Sequence, residues 1–182
     1  MTQTITNARP YEADLDPESP NRNLTPLTTA LDADDRLVVG DCLLSDLAQR
    51  YGTPLYVLDE QTLRGTCRAY RDALKRHYPG PSLPIYASKA NSSLVMSSLV
   101  ASEGLGLDAV SAGELLTALR GGMPGDRMVL HGNNKSDEEL LLAYNNNVTV
   151  VVDNQHDLDR LSALIPHDGA PVRLMLRFTP GI

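Results

Sequence analysis

LGLDAVSAGELLTALRGGMPGDRMVLHGNNKSDEELLLAYNNNVTVVV, residues 105–152, runs through one pattern twice and begins it a third time. A short apolar run, LGLDAV (105–110) or RMVL (127–130), is followed by leucines at helical spacing in LLTALR (115–120) or LLLAY (140–144). The third run is VTVVV (148–152). Each helical segment opens on a Ser-x-x-Glu capping box, Ser111-Ala-Gly-Glu114 and Ser136-Asp-Glu-Glu139, in which the two side chains satisfy free N–H groups at a helix start. Gly121-Gly-Met-Pro124 stops the first helix. Asn145-Asn-Asn147 stops the second, since asparagine tolerates the left-handed conformation needed there.

Working outward, the same alternation continues on both sides. LYVL (55–58) and LPIYAS (83–88) precede the stretch, and LDRLSALI (158–165) and VRLML (172–176) follow it. After a first interval of 28 residues, the run starts are spaced by 22, 22, 21 and 24. Strands alternating with single helices predict parallel βα units. Two architectures fit, an open doubly wound sheet or a (β/α)8 barrel of the TIM type. The first would normally show G-x-G-x-x-G or a P-loop after its first strand. Neither motif is present, and Gly104-Leu-Gly106 precedes a strand, so it reads as a turn. The α/β barrel is favoured, and six strand runs against eight make it incomplete, about six of eight βα units.

Upstream, residues 1–23 combine Pro, Asn, Thr and acids without apolar periodicity and predict a flexible acidic arm. Residues 24–54 form a separate lead-in, with a strand at Arg36-Leu-Val-Val-Gly40 and a helix from Leu43 to Tyr51 closed by Gly52 and Pro54. The barrel portion is then 55–182. Net charge is −7, and residues 1–35 carry seven acids against two bases, so most of the excess lies there. The absence of a basic, aromatic-laced patch disfavours nucleic acid as a partner, and no apolar run is long enough for a membrane span. Cys42 and Cys67 make no Cys-x-x-Cys pair and the four histidines show no metal spacing, so reduced thiols and no metal are expected. The N-terminus lacks signal-peptide and transit-peptide character, which points to the cytoplasm.

Barrel chemistry sits at the C-terminal ends of the strands. The residues there are Asp59, Lys89, Asp108, His131, Asp153 and Arg177. Lys89 ends an apolar run; an amine at a barrel mouth loses solvation, which favours the neutral nucleophile and a Schiff base with an aldehyde cofactor. The alternative is a lysine that only snorkels. Asp108, within LGLDAV, needs a partner, either a cation or a hydrogen bond from the following turn. Arg177 offers a planar fork for an anionic oxygen or for a surface ion pair. His131-Gly-Asn-Asn-Lys-Ser136 leads into a capped helix that could hold an anion, or is simply loop and cap. Asp59 and Asp153 read as N-caps rather than catalysts.

YGTPLYVLDE (51–60), YASKAN (86–91), LDAVSAGEL (107–115), HGNNKSDEEL (131–140), VVDN (151–154) and RFTPGI (177–182) occur in this order. Over residues 24–182 the chain thereby resembles the diaminopimelate decarboxylase family, whose fold is the alanine-racemase-like, fold-type III barrel that binds pyridoxal 5'-phosphate (PLP). The resemblance implies that Lys89 bonds the cofactor and that Asp108, Arg177 and, more loosely, His131 lie near it. It implies a cytoplasmic homodimer that removes carbon dioxide from meso-2,6-diaminopimelate to give L-lysine, the last step of lysine biosynthesis. HGNNKS favours that substrate; ornithine, arginine or carboxynorspermidine decarboxylases of the same fold, or a non-catalytic PLP-binding relative, are the alternatives. The family's Gly-rich phosphate loop, its Glu-Pro-Gly-Arg segment, its C-terminal β-domain and the partner-facing Cys and Tyr would lie beyond Ile182. The chain is therefore expected to be an N-terminal fragment, inactive by itself, with residues 24–40 poorly anchored as a strand of a missing β-domain.

Overall fold

The computed structural model describes residues 8–11, 18, 24–178 and 180–181. The flexible arm expected over 1–23 therefore falls, but for 8–11 and 18, outside the described residues. The chain divides into two units, residues 1–66 and 67–182.

In the first unit, four short strands, β1 (Arg9–Pro10), β2 (Ala30–Leu31), β3 (Leu37–Val39) and β4 (Cys42–Leu43), form an antiparallel sheet in chain order. Gly40 and Asp41 join β3 to β4 with φ of 56° and 62°, the left-handed pair that a two-residue hairpin of right-handed twist demands. Val38 and Val39 are buried. Within residues 24–40, expected to be poorly anchored, Ala30–Leu31 and Leu37–Val39 are held locally, because β3 has ladder partners on both sides, β2 and β4. Helix α1 (Leu44–Tyr51) follows and ends at Gly52, whose φ is 83°. Leu55–Leu58, expected as the first barrel strand, joins no ladder among the described residues, and Tyr56 is 95% exposed. An apolar run has strand potential, but a strand exists only where a neighbour takes its backbone groups. Asp59 caps α2 (Glu60–His77), accepting the Thr62 N–H at 2.9 Å and the Thr62 hydroxyl.

The second unit contains the repeats. Strands β5 (Ile85–Ala87), β6 (Gly106–Ala109), β7 (Met128–Leu130), β8 (Thr149–Val152) and β9 (Leu174–Leu176) are all parallel and lie side by side in chain order. Between them run α3 (Leu94–Ser102), α4 (Ala112–Arg120), α5 (Asp137–Asn145) and α6 (Gln155–Leu164). This order decides between the two architectures. Right-handed crossovers between successive neighbours place every helix on one face, whereas a doubly wound sheet reverses its order and uses both. The helices accordingly pack in sequence, α3 on α4, α4 on α5 and α5 on α6. The sheet is five strands of a β/α barrel wall.

A parallel sheet covered by crossover helices reads as near-continuous apolar runs, and β7 and β8 are buried at every position. Leu107 and Ala109, Met128 and Leu130, and Val150 and Val152 are buried, as are Leu99, Leu115, Ala118, Leu140, Ala143 and Leu161 from the helices. Polar caps start the helices as the sequence predicts, with two adjustments. Ser136 and Glu139 form the full capping box, whereas Glu114 reaches past Ser111 to the Val110 N–H at 2.6 Å. The cap of α6 is Asn154, not Asp153, because the helix begins one residue later and Asn154 Oδ1 accepts the Asp157 N–H. Asn147 has φ 58° and Gly122 φ 85°, the left-handed stops expected after α5 and α4.

Candidate active site

Parallel pairing brings the C-terminal strand ends to one edge of the sheet. Ala87, Asp108, Val129 and Thr149 are lateral partners across β5 to β8, and Val151 pairs with Met175. Lateral partners share a face and alternate residues return to it, so Asp108, His131 and Arg177 all belong to the face turned away from the helices. His131 continues the ladder from β7, its N–H donating to the Ala109 carbonyl at 2.8 Å, and Arg177 does so from β9 with Val152 at 2.9 Å. Lys89 sits in a tight turn, Ser88–Ala90, directly after β5.

Three of these groups interact. His131 Nε2 lies 3.9 Å from Asp108 Oδ1, and the Lys89 ammonium acts on the same carboxylate through its field. Burial pushes the Asp108 carboxyl above the ordinary aspartate range; the positive fields of His131 and Lys89 pull the other way, and Glu114 adds to the rise. Asp108 Oδ1 is buried and makes no hydrogen bond. Lys89 is exposed, so the described residues do not supply the desolvation expected of it, and its amine makes no hydrogen bond or ion pair among them. Arg177 is also exposed, two strands from His131. Asp59 belongs to the first unit, where it caps α2. Burial raises its carboxyl, but hydrogen bonds from Thr62, Thr28 and Gln61 outweigh this and hold it below the usual range.

Sequence reasoning missed Lys135. Its side chain is 1% exposed, and Nζ lies 2.7 Å from Asp157 Oδ2 and 3.7 Å from Asp153 Oδ1. Asp153 therefore serves as a neighbour to this buried cation instead of a cap. Lysines are rarely buried unless paired, and nothing in a turn such as Gly-Asn-Asn-Lys marks one that is. The available signal was Asp157, a carboxylate on the helix start that follows the next strand.

A buried carboxylate oxygen that accepts no hydrogen bond and a free amine at the end of the neighbouring strand, on the face turned away from the helices, suit a ligand with an electrophilic carbon for the amine and a donor or positive charge for the carboxylate. PLP would meet that description, and Lys89 and Asp108 are the residues that could hold it.

Comparisons with known proteins agree with this chemistry. A family model, "Pyridoxal-dependent decarboxylase, pyridoxal binding domain", matches residues 61–182. A diaminopimelate decarboxylase of Synechocystis is 45% identical over 172 residues, 90% of this chain and 37% of that protein. Among solved structures, diaminopimelate decarboxylase from M. jannaschi superimposes with a TM-score of 0.79 at 30% identity, covering 85% of this chain and 36% of the other. The Helicobacter pylori enzyme complexed with L-lysine gives 0.69 at 31% identity, covering 76% and 35%. The chain spans about a third of the length of the relatives it matches.

Proposed function

This chain belongs to the pyridoxal-dependent decarboxylase family, and from that premise we propose that the whole protein converts meso-2,6-diaminopimelate to L-lysine and carbon dioxide, with Lys89 as the residue that bonds the cofactor. The observation that carries the reading is a free Lys89 amine at the end of β5 next to the strand that holds Asp108, whose buried Oδ1 accepts no hydrogen bond. The relatives' names support the substrate, and the bound L-lysine in the Helicobacter pylori structure supports an amino-acid ligand.

When bound, the cofactor supplies the electron sink for loss of carbon dioxide. The residues described here would bind and orient it. Lys89 provides the nucleophilic nitrogen at the end of β5. Asp108 offers a negative charge on β6, and His131, on β7, flanks that charge. Arg177 lies farthest along the sheet and presents its guanidinium to solvent, where a phosphate or carboxylate oxygen could meet it. A homodimer and a cytoplasmic location are part of the same reading, supported by the family resemblance.

Borohydride reduction of the purified protein with PLP, followed by peptide mass analysis, is expected to leave the cofactor on the peptide containing Lys89. Lys89→Ala should abolish the label. In the polypeptide as its gene encodes it, carbon dioxide release should be seen from meso-2,6-diaminopimelate and not from L-ornithine or L-arginine; preference for either of the latter would overturn the substrate assignment.

A further inference from the structure

We propose that Lys135 is a positioning residue that sets the orientation of His131 by tying the loop behind it to α6. The inference rests on the reading of His131 as part of the cofactor-binding face. Five residues, His131 to Lys135, link the end of β7 to the Ser136 cap of α5. At the front, the His131 N–H continues the ladder to Ala109. Gly132 then turns the chain away with φ of 103°, a conformation that side-chain-bearing residues avoid.

The loop makes few backbone bonds of its own, and one side chain takes their place. Lys135 Nζ donates to the Gly132 carbonyl at 2.5 Å and to Asp157 Oδ2 at 2.7 Å, with Asp153 Oδ1 at 3.7 Å. The ammonium therefore joins the loop, the first turn of α6 and the end of β8. Asp157 is itself fixed, since its N–H bonds the Asn154 cap at 2.9 Å. A second tie holds the far end, where Arg160 Nη1 donates to the Lys135 carbonyl at 2.8 Å and the guanidinium also bonds Asp137.

A buried ion pair is a poor way to gain stability, because replacing both members with apolar groups is often neutral. What an apolar pair cannot do is grip the Gly132 carbonyl, which is one peptide away from His131. Position, more than stability, is what Lys135 contributes. That separates two substitutions. Lys135→Met alone leaves the Asp157 charge buried and unpaired and is expected to destabilise the fold. Lys135→Met with Asp157→Leu removes both charges, restoring the packing without restoring the tie to the loop.

The test compares the parent protein with this double variant in thermal unfolding, backbone hydrogen exchange over residues 132–136 and the imidazole 15N shifts of His131. The double variant should unfold within a few degrees of the parent. Its loop amides should exchange about tenfold faster, as local opening of an untethered segment requires, and the His131 signals should move toward those of free histidine. Unchanged exchange or unchanged His131 signals would overturn the proposal. So would failure of the double variant to fold, which would make the pair an ordinary part of the core. PLP affinity is read alongside; failure of the parent to bind it would strike the proposed function alone, because the His131 and exchange measurements need no cofactor.

Discussion

Asp108 stands on β6 with one carboxylate oxygen buried and accepting no hydrogen bond, and burial lifts its carboxyl above the ordinary value of 3.8. Its ionised form is therefore disfavoured in the folded chain relative to the unfolded one. The stability associated with the neutral form is fully present below the unfolded value and is lost as pH rises through the raised folded value. Asp108→Asn removes the partly desolvated charge at similar shape and should raise the stability of the cofactor-free protein at pH 7. The gain should disappear below about pH 3.8, where the native side chain is neutral in both states. Thermal unfolding at several pH values measures this, and a destabilised variant at pH 7 would show that the attraction of His131 and Lys89 for the carboxylate outweighs the cost of its burial. Asp108 could be singled out in the sequence because a charge inside LGLDAV violates the apolar pattern. Lys135 violates nothing, since a lysine in a polar turn is ordinary; its importance comes from Asp157, which lies 22 residues away and meets it only in the fold.

Helix starts show how far local sequence reaches. The box at Ser136 and Glu139 was legible because both partners lie within four residues. Its second task was not. Glu139 Oε2 accepts the Ser136 N–H at 2.8 Å while Oε1 accepts the Ala112 N–H at 3.0 Å, so this one carboxylate closes α5 and also occupies a free donor at the start of α4. Ser136→Ala should cost about 1 kcal/mol, the usual loss for an N-cap. Glu139→Ala should cost more, about 2 kcal/mol, because two N–H groups on different helices lose their acceptor. Glu139→Gln should recover part of the difference, as its single carbonyl oxygen can serve one of them. Denaturant unfolding of the three variants gives the order directly; Ser136→Ala as the most damaging would contradict it. The same limit of range explains the strands. Five of the six apolar runs find ladders, whereas Leu55–Leu58 has the composition of a strand without the neighbour. Conversely, Ala30–Leu31 and Cys42–Leu43 are too short for any periodicity; pairing with β3, across the 32–36 turn for the first and the Gly40–Asp41 hairpin for the second, makes them strands.

At the scale of the molecule, the succession of strands was readable because each βα unit repeats one physical solution, and spacing near 22 residues leaves room for a single crossover helix. What the repeat does not state is how its two outer edges are covered. Among the described residues β9 pairs only with β8, and Leu174, Met175, Leu176 and Phe178 are exposed along it. A strand edge of this kind offers unsatisfied N–H and C=O groups beside apolar side chains, the combination that recruits another strand. The 182 residues taken alone should therefore self-associate, with the apparent mass in sedimentation rising as concentration increases. Leu176→Lys places a charge on that edge and should shift the population toward monomer without unfolding β5 to β8, which amide exchange of those strands can verify. Such a chain is expected to take up PLP at Lys89 and yet release no carbon dioxide from meso-2,6-diaminopimelate, because five strand ends supply only part of the ring of groups an eight-stranded barrel brings to its mouth. Turnover by these residues alone would show that the wall from β5 to β9 suffices for the chemistry. Mass unchanged with concentration, with Leu176→Lys making no difference, would show that the β9 edge does not drive association.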